Sequence, residues 1–447
     1  MGSNTDGTGI APANFTTDLT YFNIKNRSSV DIDASWTVSG SGSKIIVGDG
    51  TVPITLNLNE AVTGIIDAND STTININHTS IPQFSKLHAN STVNFNAFGA
   101  IAIPNAMYGN VKLEADVQYT FPLNNTIIQG DLTIYNDVLT TGIPNNQSTL
   151  RIGGDLIVNN TSGNPFPATS ANQYSLVFTG GNSHTVTFEN PINPNLFSIQ
   201  VDYGDSVAFS NLSGNTFTVG SAQGGGLTLK GGASLNLGNN NLNITGRGTI
   251  NTNNETGNLI MNGGDFTMNT TATQNSSIYF AESTVNNFTT STPDNNRVSL
   301  LSAVNVKNLV TVDNGELNAD IGNLILKSES DDAGGTARIG PLLDGAKITG
   351  SITMERFMSG EGRIYRYISS PVKGTTAEDL QAFFLSQESS PELLQDRGCS
   401  PMPLCLLIQN LLTHSFQLWE EPIWIHLKEE KVMFLLYAKH QTLPYGQ

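Results

Sequence analysis

The chain has 447 residues, of which only 13% are charged, and a formal net charge of −17. That balance excludes a nucleic-acid binder, which needs a basic footprint, and no run of about 18 apolar residues could span a membrane as a helix. Polarity comes instead from Asn, Thr, Ser and 43 Gly: turn formers alternating with the Val, Ile and Thr that favour half-buried strands. The composition therefore predicts many short strands joined by tight turns.

In chain order, Met1-Gly2-Ser3-Asn4-Thr5-Asp6 has neither a basic segment nor an apolar run of the secretory type. Residues 1–14 are read as a disordered or truncated N-terminus, with the chain beginning inside a longer exported one. From residue 15 apolar residues alternate with polar ones. The clearest stretch carries apolar pairs at Leu227/Leu229, Leu235/Leu237, Leu242/Ile244, Leu259/Met261 and Phe266/Met268, with Ile250 between. A spacing of two puts both members on one strand face. Successive pairs are too close for a βαβ crossover. They suit a β-solenoid with about three strands per coil, each coil burying its inward residues against its neighbours. We expect an all-β fold, a β-solenoid read as a right-handed parallel β-helix, over residues 15–345. Tandem antiparallel β-sandwich repeats are the alternative. A weaker repeat of longer period links phrases starting at Thr92, Ser175 and Ser277.

Composition breaks near residue 350, where Asn becomes scarce, so residues 346–385 read as the start of a second β module. From 386 to 447 the chain is Leu-rich and holds both Cys and two of the three Trp. Back-translation of Phe384–Glu392, read from the third base of each codon, permits the phrase Pro-Ile-Thr-Gly-Glu-Phe-Thr-Gly. The tail is thus anomalous, read as a frameshift or as a genuine small helical tail.

Residues 324–385 contain Leu324-Ile325-Leu326-Lys327-Ser328, then Ile348-Thr349-Gly350-Ser351-Ile352-Thr353-Met354-Glu355-Arg356-Phe357, then Arg363-Ile364-Tyr365-Arg366-Tyr367-Ile368-Ser369-Ser370-Pro371-Val372. This stretch resembles the segment in large secreted proteins of Bacteroidota where a β-repeat region gives way to later modules. Upstream phrases such as Tyr108-Gly109-Asn110-Val111-Lys112-Leu113 and Gly130-Asp131-Leu132-Thr133-Ile134 are similar to the repeats of those proteins. The resemblance implies export by the type IX system and an extracellular or outer-membrane surface location. The sorting domain of that family is absent from residues 1–447.

Candidate chemistry is sparse. His78, His88 and His184 show no HExxH or paired spacing and read as ordinary surface or strand histidines. His414, His426, His440, Cys399 and Cys405 in the tail have no metal-ligand spacing. Asp331-Asp332, with Arg338 nearby, is the one adjacent acidic pair of the repeat region, but neighbouring strand residues face opposite ways and Gly334-Gly335 suggests a loop. Gly153-Gly154-Asp155 and Gly263-Gly264-Asp265 are isolated fragments of a calcium β-roll nonapeptide and read as turns. Gly224-Gly225-Gly226 lacks the Lys-Ser/Thr of a phosphate loop. Thr216-Phe217-Thr218 does not recur at coil spacing as an ice-binding face would. Tyr203 and Phe209 are aromatics that could stack on sugars, with core packing as the default. No catalytic, cofactor-binding or metal-ligating residue is assigned, and no cofactor is expected. The expected function is a non-catalytic scaffold or adhesin-like surface whose partners are glycans or other surface proteins. A carbohydrate-active β-helix enzyme, a lyase or hydrolase, is the alternative.

Overall fold

The computed structural model describes residues 4, 8–122, 126–135, 147–159, 173–189, 193–210, 213–251, 257–330, 335–358, 365–368, 423–426 and 432–438. The chain divides into two compact units, Met1–Arg356 with Leu435–Gln447, and Phe357–Phe434. In the second unit, Tyr365–Ile368 pairs antiparallel with Ile423–His426.

The first unit is a parallel β-solenoid. Short strands follow one another around a coil, and each pairs with the equivalent strand one coil later. On the first face, Ser175–Phe178 pairs with Ser198–Val201, which pairs with Gly226–Leu229. On the second face, eleven strands run from Ser29–Ile32 to Asn258–Ile260 in one sheet. On the third, Thr216–Val219, Asn241–Gly246 and Phe266–Thr270 pair in turn. These pairings are parallel, as are the others given between named strands of the unit, which excludes the antiparallel sandwich. Three successive strands, Gly226–Leu229, Ser234–Asn236 and Asn241–Gly246, make one coil. The coil length is elastic: Ile54 lies against Thr72, whereas Leu156 lies against Val186. The turns absorb the difference.

Alternation decides what is inside. Strand side chains point alternately to opposite faces, so every second residue enters the coil. Leu56, Ile74, Val93, Val111, Leu132, Leu156 and Val186 form one inward column, each in register with the next, and none is more than 2% exposed. Rungs spaced about 4.8 Å apart bring these chains into van der Waals contact, and full burial of each contributes roughly 1.5–3 kcal/mol. The apolar pairs recognised between Leu227 and Met268 all point inward. At the N-terminal end Phe15 packs at 5.1 Å from Phe22 and 5.5 Å from Trp36. The aromatic cluster covers the interior of the first coil.

One sequence boundary shifts, and one repeat is not a structural one. The strand Ala346–Met358, placed by composition at the start of a second module, pairs in parallel with Gly315–Ala319 and Leu324–Leu326. It is a further rung of the solenoid, in which Thr353 is buried. Loss of Asn changes the outer wall without touching the inward alternation that makes a rung. The longer repeat equates unlike positions: Thr92–Phe95 belongs to the second face and Ser175–Phe178 to the first. All faces share one alternating pattern, so phrases from different faces look alike.

Candidate functional site

What the molecule offers a partner is its outer wall. Register converts distant sequence positions into columns running along the stack. On the second face Asn57, Asn75 and Asn94 form an amide ladder: Asn75 Nδ2 donates to Asn57 Oδ1 at 2.7 Å, and Asn94 Nδ2 to Asn75 Oδ1 at 3.3 Å. Asp31 accepts from Asn57 at one end, and Glu114 from Asn94 at the other. A second row follows beside it, with Asn59 donating to Asp33 and Asn77 to Asn59. An amide has both donor and acceptor, so identical side chains stacked one rung apart satisfy one another.

The first face is different. Its outward column reads Arg151, Val177, Gln200, Thr228, Asn251, Ser277, Ser299, Asn318, Thr349. Small neutral residues fill this stretch with a charged cluster to either side, and before Arg151 the column continues through Ile127 and Met107. At one end Asp202 receives Lys230 Nζ at 2.7 Å, Arg151 at 3.1 Å and Gln200 Nε2 at 2.7 Å. Arg151 reaches across the rung of Val177, and that outward valine is only 3% exposed; the arginine stem covers it. Burial alone would raise the pKa of Asp202, but bonds from Lys230 and Gln200 outweigh it and hold the carboxyl below its ordinary value.

At the other end Arg297, Glu316 and Lys347 occupy one column on three rungs. Glu316 lies 2.9 Å from Lys347 and 3.6 Å from Arg297, and accepts from Thr349 at 2.8 Å. Burial again pushes its pKa up, and the Lys347 and Thr349 hydrogen bonds with the two cations bring it below the ordinary glutamate value. Asn318 donates to Asp320 at 2.7 Å and reaches Glu316 at 3.5 Å. Two carboxylate oxygens that share one amide lie within about 6 Å, a separation that paired-carboxylate hydrolysis uses. Hydrolysis of that kind needs one carboxyl kept protonated by its surroundings. Glu316 is held ionised by its cations, so it is not the acid of such a pair.

The residues singled out in the sequence fall as follows. Asp331 and Asp332 lie outside the described residues, as do His414, His440, Cys399 and Cys405, and Arg338 is exposed. His78 and His88 each accept from a backbone N–H two residues on. His184 is buried: Nδ1 lies 2.7 Å from the Gly154 carbonyl and Nε2 3.1 Å from Asp205. The two Gly-Gly-Asp phrases are turns whose Asp side chains tie rungs together. Asp155 accepts from the Thr185 N–H, and Asp265 from the Asn287 N–H. Gly225 sits at φ +90°, where an added Cβ would meet the Phe197 carbonyl at 2.0 Å, and one at Gly226 would meet the Thr249 carbonyl at 2.1 Å; close approach of coils explains these two glycines. Thr216 and Thr218 flank the inward Phe217. Phe209 packs on Phe217 at 4.3 Å, whereas Tyr203 is 60% exposed.

Sequence reasoning missed the Asp202 and Glu316 clusters. Arg151 and Asp202 are joined by the register of three rungs, which no local pattern reveals. Glu316-x-Asn318-x-Asp320 does carry a signal, since a period of two places all three on one strand face.

Among the described residues no group of three or more His, Cys, Asp or Glu is placed to hold a metal ion, and no helix is long and apolar enough to cross a membrane. Comparisons with protein families, curated proteins and solved structures found no match. The site is therefore argued from its own geometry.

Proposed function

We propose that this protein is a non-catalytic extracellular or cell-surface scaffold whose solenoid wall binds glycans in the manner of an adhesin. The observation that carries the reading is the engagement of the wall's carboxylates in fold-holding bonds. Asp67 binds Lys44, Asp202 binds Arg151 and Lys230, Glu316 binds Arg297 and Lys347, and Glu355 binds Lys327. Asp155 and Asp265 accept backbone N–H groups. Carboxylates consumed in this way maintain a wall rather than move protons. Between them the wall presents rows of Asn, Ser and Thr at rung spacing, a regular array of donors and acceptors suited to hydroxyl-rich ligands. The resemblance of residues 324–385 to secreted proteins of Bacteroidota agrees with a surface location and with type IX export.

One observation favours the carbohydrate-active enzyme, the Glu316–Asp320 pair bridged by Asn318. The ionised state of Glu316 bars it from the acid's role in such an enzyme.

The test is binding of the purified full chain to an array of polysaccharides and to whole cells, with bound protein quantified after washing. Saturable retention on glycans or cells supports the scaffold. Absence of retention on both, at protein concentrations up to the micromolar range, rejects it.

A further inference from the structure

The Asp202 cluster has a property that the scaffold reading leaves unused. Three successive rungs turn from the first to the second face through four-residue corners held in the same register. Phe178, Val201 and Leu229 align before the corner, and Ser183, Ser206 and Ser234 after it. The corners are therefore equivalent position by position: Thr179-Gly180-Gly181-Asn182, Asp202-Tyr203-Gly204-Asp205 and Lys230-Gly231-Gly232-Ala233. Tyr203 stands between Gly180 and Gly231. Neither neighbour places a side chain beside the ring, and Gly181 and Gly204 have nothing within 4 Å of where a Cβ would be. The ring is 60% exposed, and Lys230 Nζ sits 5.3 Å from its centroid, a cation–π contact that fixes its orientation. Tyr203 thus presents most of its ring to solvent on a row of glycines, held by Lys230.

Hydrogen-bond capacity around the ring is lopsided. A carboxylate offers about four acceptor positions, and Asp202 uses them on Lys230, Gln200, Arg151 and Thr179. Among the described residues Arg151 and Lys230 each spend an N–H on Asp202, the residue next to Tyr203, out of the five donors of a guanidinium and the three of an ammonium. Their side chains are 32% and 25% exposed, within reach of a ligand. The cluster holds two cations against one carboxylate. A ligand here must offer an apolar face to Tyr203 and acceptors, with negative charge, to the donors. A pyranose carrying a carboxylate does both: its C–H face covers the ring, and its carboxylate meets Lys230 and Arg151 in charge-assisted bonds.

We infer that Tyr203, Lys230 and Arg151 form a subsite for one uronic acid residue of an acidic polysaccharide. The inference rests on the glycan-binding reading of the wall and names its ligand class.

Titration of the full chain with oligogalacturonate and alginate oligomers, against a neutral β-1,4-glucan oligomer, tests it by calorimetry. The expected result is binding of at least one uronate oligomer, at least tenfold weaker in Tyr203→Ala and at least fivefold weaker in Lys230→Gln. Circular dichroism of both variants should match the wild type, since both side chains are at the surface. Binding should also weaken several-fold between 50 mM and 500 mM salt, as charge-assisted contact near solvent requires. Uronate binding unchanged in Tyr203→Ala overturns the subsite and leaves the glycan-binding scaffold standing. Preference for the neutral glucan overturns the ligand class. No binding to any of the three oligomers also overturns the subsite, and retention on cells or other glycans then decides the scaffold separately.

Discussion

The second and first faces of the solenoid are built on one backbone lattice, yet they solve the same outward problem in opposite ways. In parallel rungs each outward side chain lies directly against its counterpart one coil away. Over three rungs of the second face that counterpart is another asparagine, and Asn57, Asn75 and Asn94 bond in series. On the first face two charged clusters lie beside the column, around Asp202 and around Glu316. A carboxylate stacked on a carboxylate would repel, so Asp202 and Glu316 are each flanked by two cations. Amide ladders can extend along a wall indefinitely. Charged clusters are local, and each creates one place unlike the rest of the surface.

Mutations can break this contrast. The largest effect is expected at Lys327, whose Nζ lies 2.6 Å from Glu355, a side chain only 5% exposed. Lys327→Met removes the partner of a buried carboxylate and should destabilise the fold by about 2–3 kcal/mol, seen as a lower urea midpoint. His184→Ala should cost a similar amount, about 2–3 kcal/mol, because it leaves the buried Asp205 and the Gly154 carbonyl short of a partner. A loss below about 0.5 kcal/mol at Lys327 would mean that this buried ion pair does not hold the fold. Asn75→Ala should cost about 1 kcal/mol, since it interrupts the ladder between the half-buried Asn57 and the buried Asn94. The smallest effect belongs to Lys307, paired with Glu329 where both side chains are well exposed. Lys307→Ala should stay within about 0.5 kcal/mol.

Acid sharpens the comparison further. Asp202 and Glu316 have folded pKa values below their ordinary ones, so the stability they contribute is fully present above the unfolded values near about 4. It is lost as pH falls through the depressed folded values. Amide ladders do not titrate. Hydrogen exchange of the full chain between pH 6 and pH 3 should therefore show protection lost earlier around residues 198–204 and 315–320 than around residues 73–76, whose outward Asn75 bonds only to asparagines. Uniform loss along the solenoid would contradict the difference between the faces.

The inward half of this molecule was legible in the sequence. Leu227/Leu229 through Phe266/Met268 announced strands with one apolar face, and turns too short for a crossover announced a coil. The outward half was less so, because a column is a property of register. Asp67 meets Lys44 from the previous rung, and Asp202 meets Arg151 two rungs away. Coil lengths vary with the turns, so no fixed period in the sequence points from one to the other. Composition also misplaced the boundary at residue 345: the outer wall loses its asparagines there, while Ile348, Ile352 and Met354 still pack against the core.

The most direct test of the scaffold account is product analysis on the polysaccharide that the full chain retains best. Reducing ends and the absorbance of unsaturated uronates should be followed over a day of incubation, for the wild type and for Glu316→Gln and Asp320→Asn. The account predicts retention with no product above the protein-free control in any of the three. Product released by the wild type and lost in either variant would make the Glu316–Asp320 pair an active site and the solenoid an enzyme.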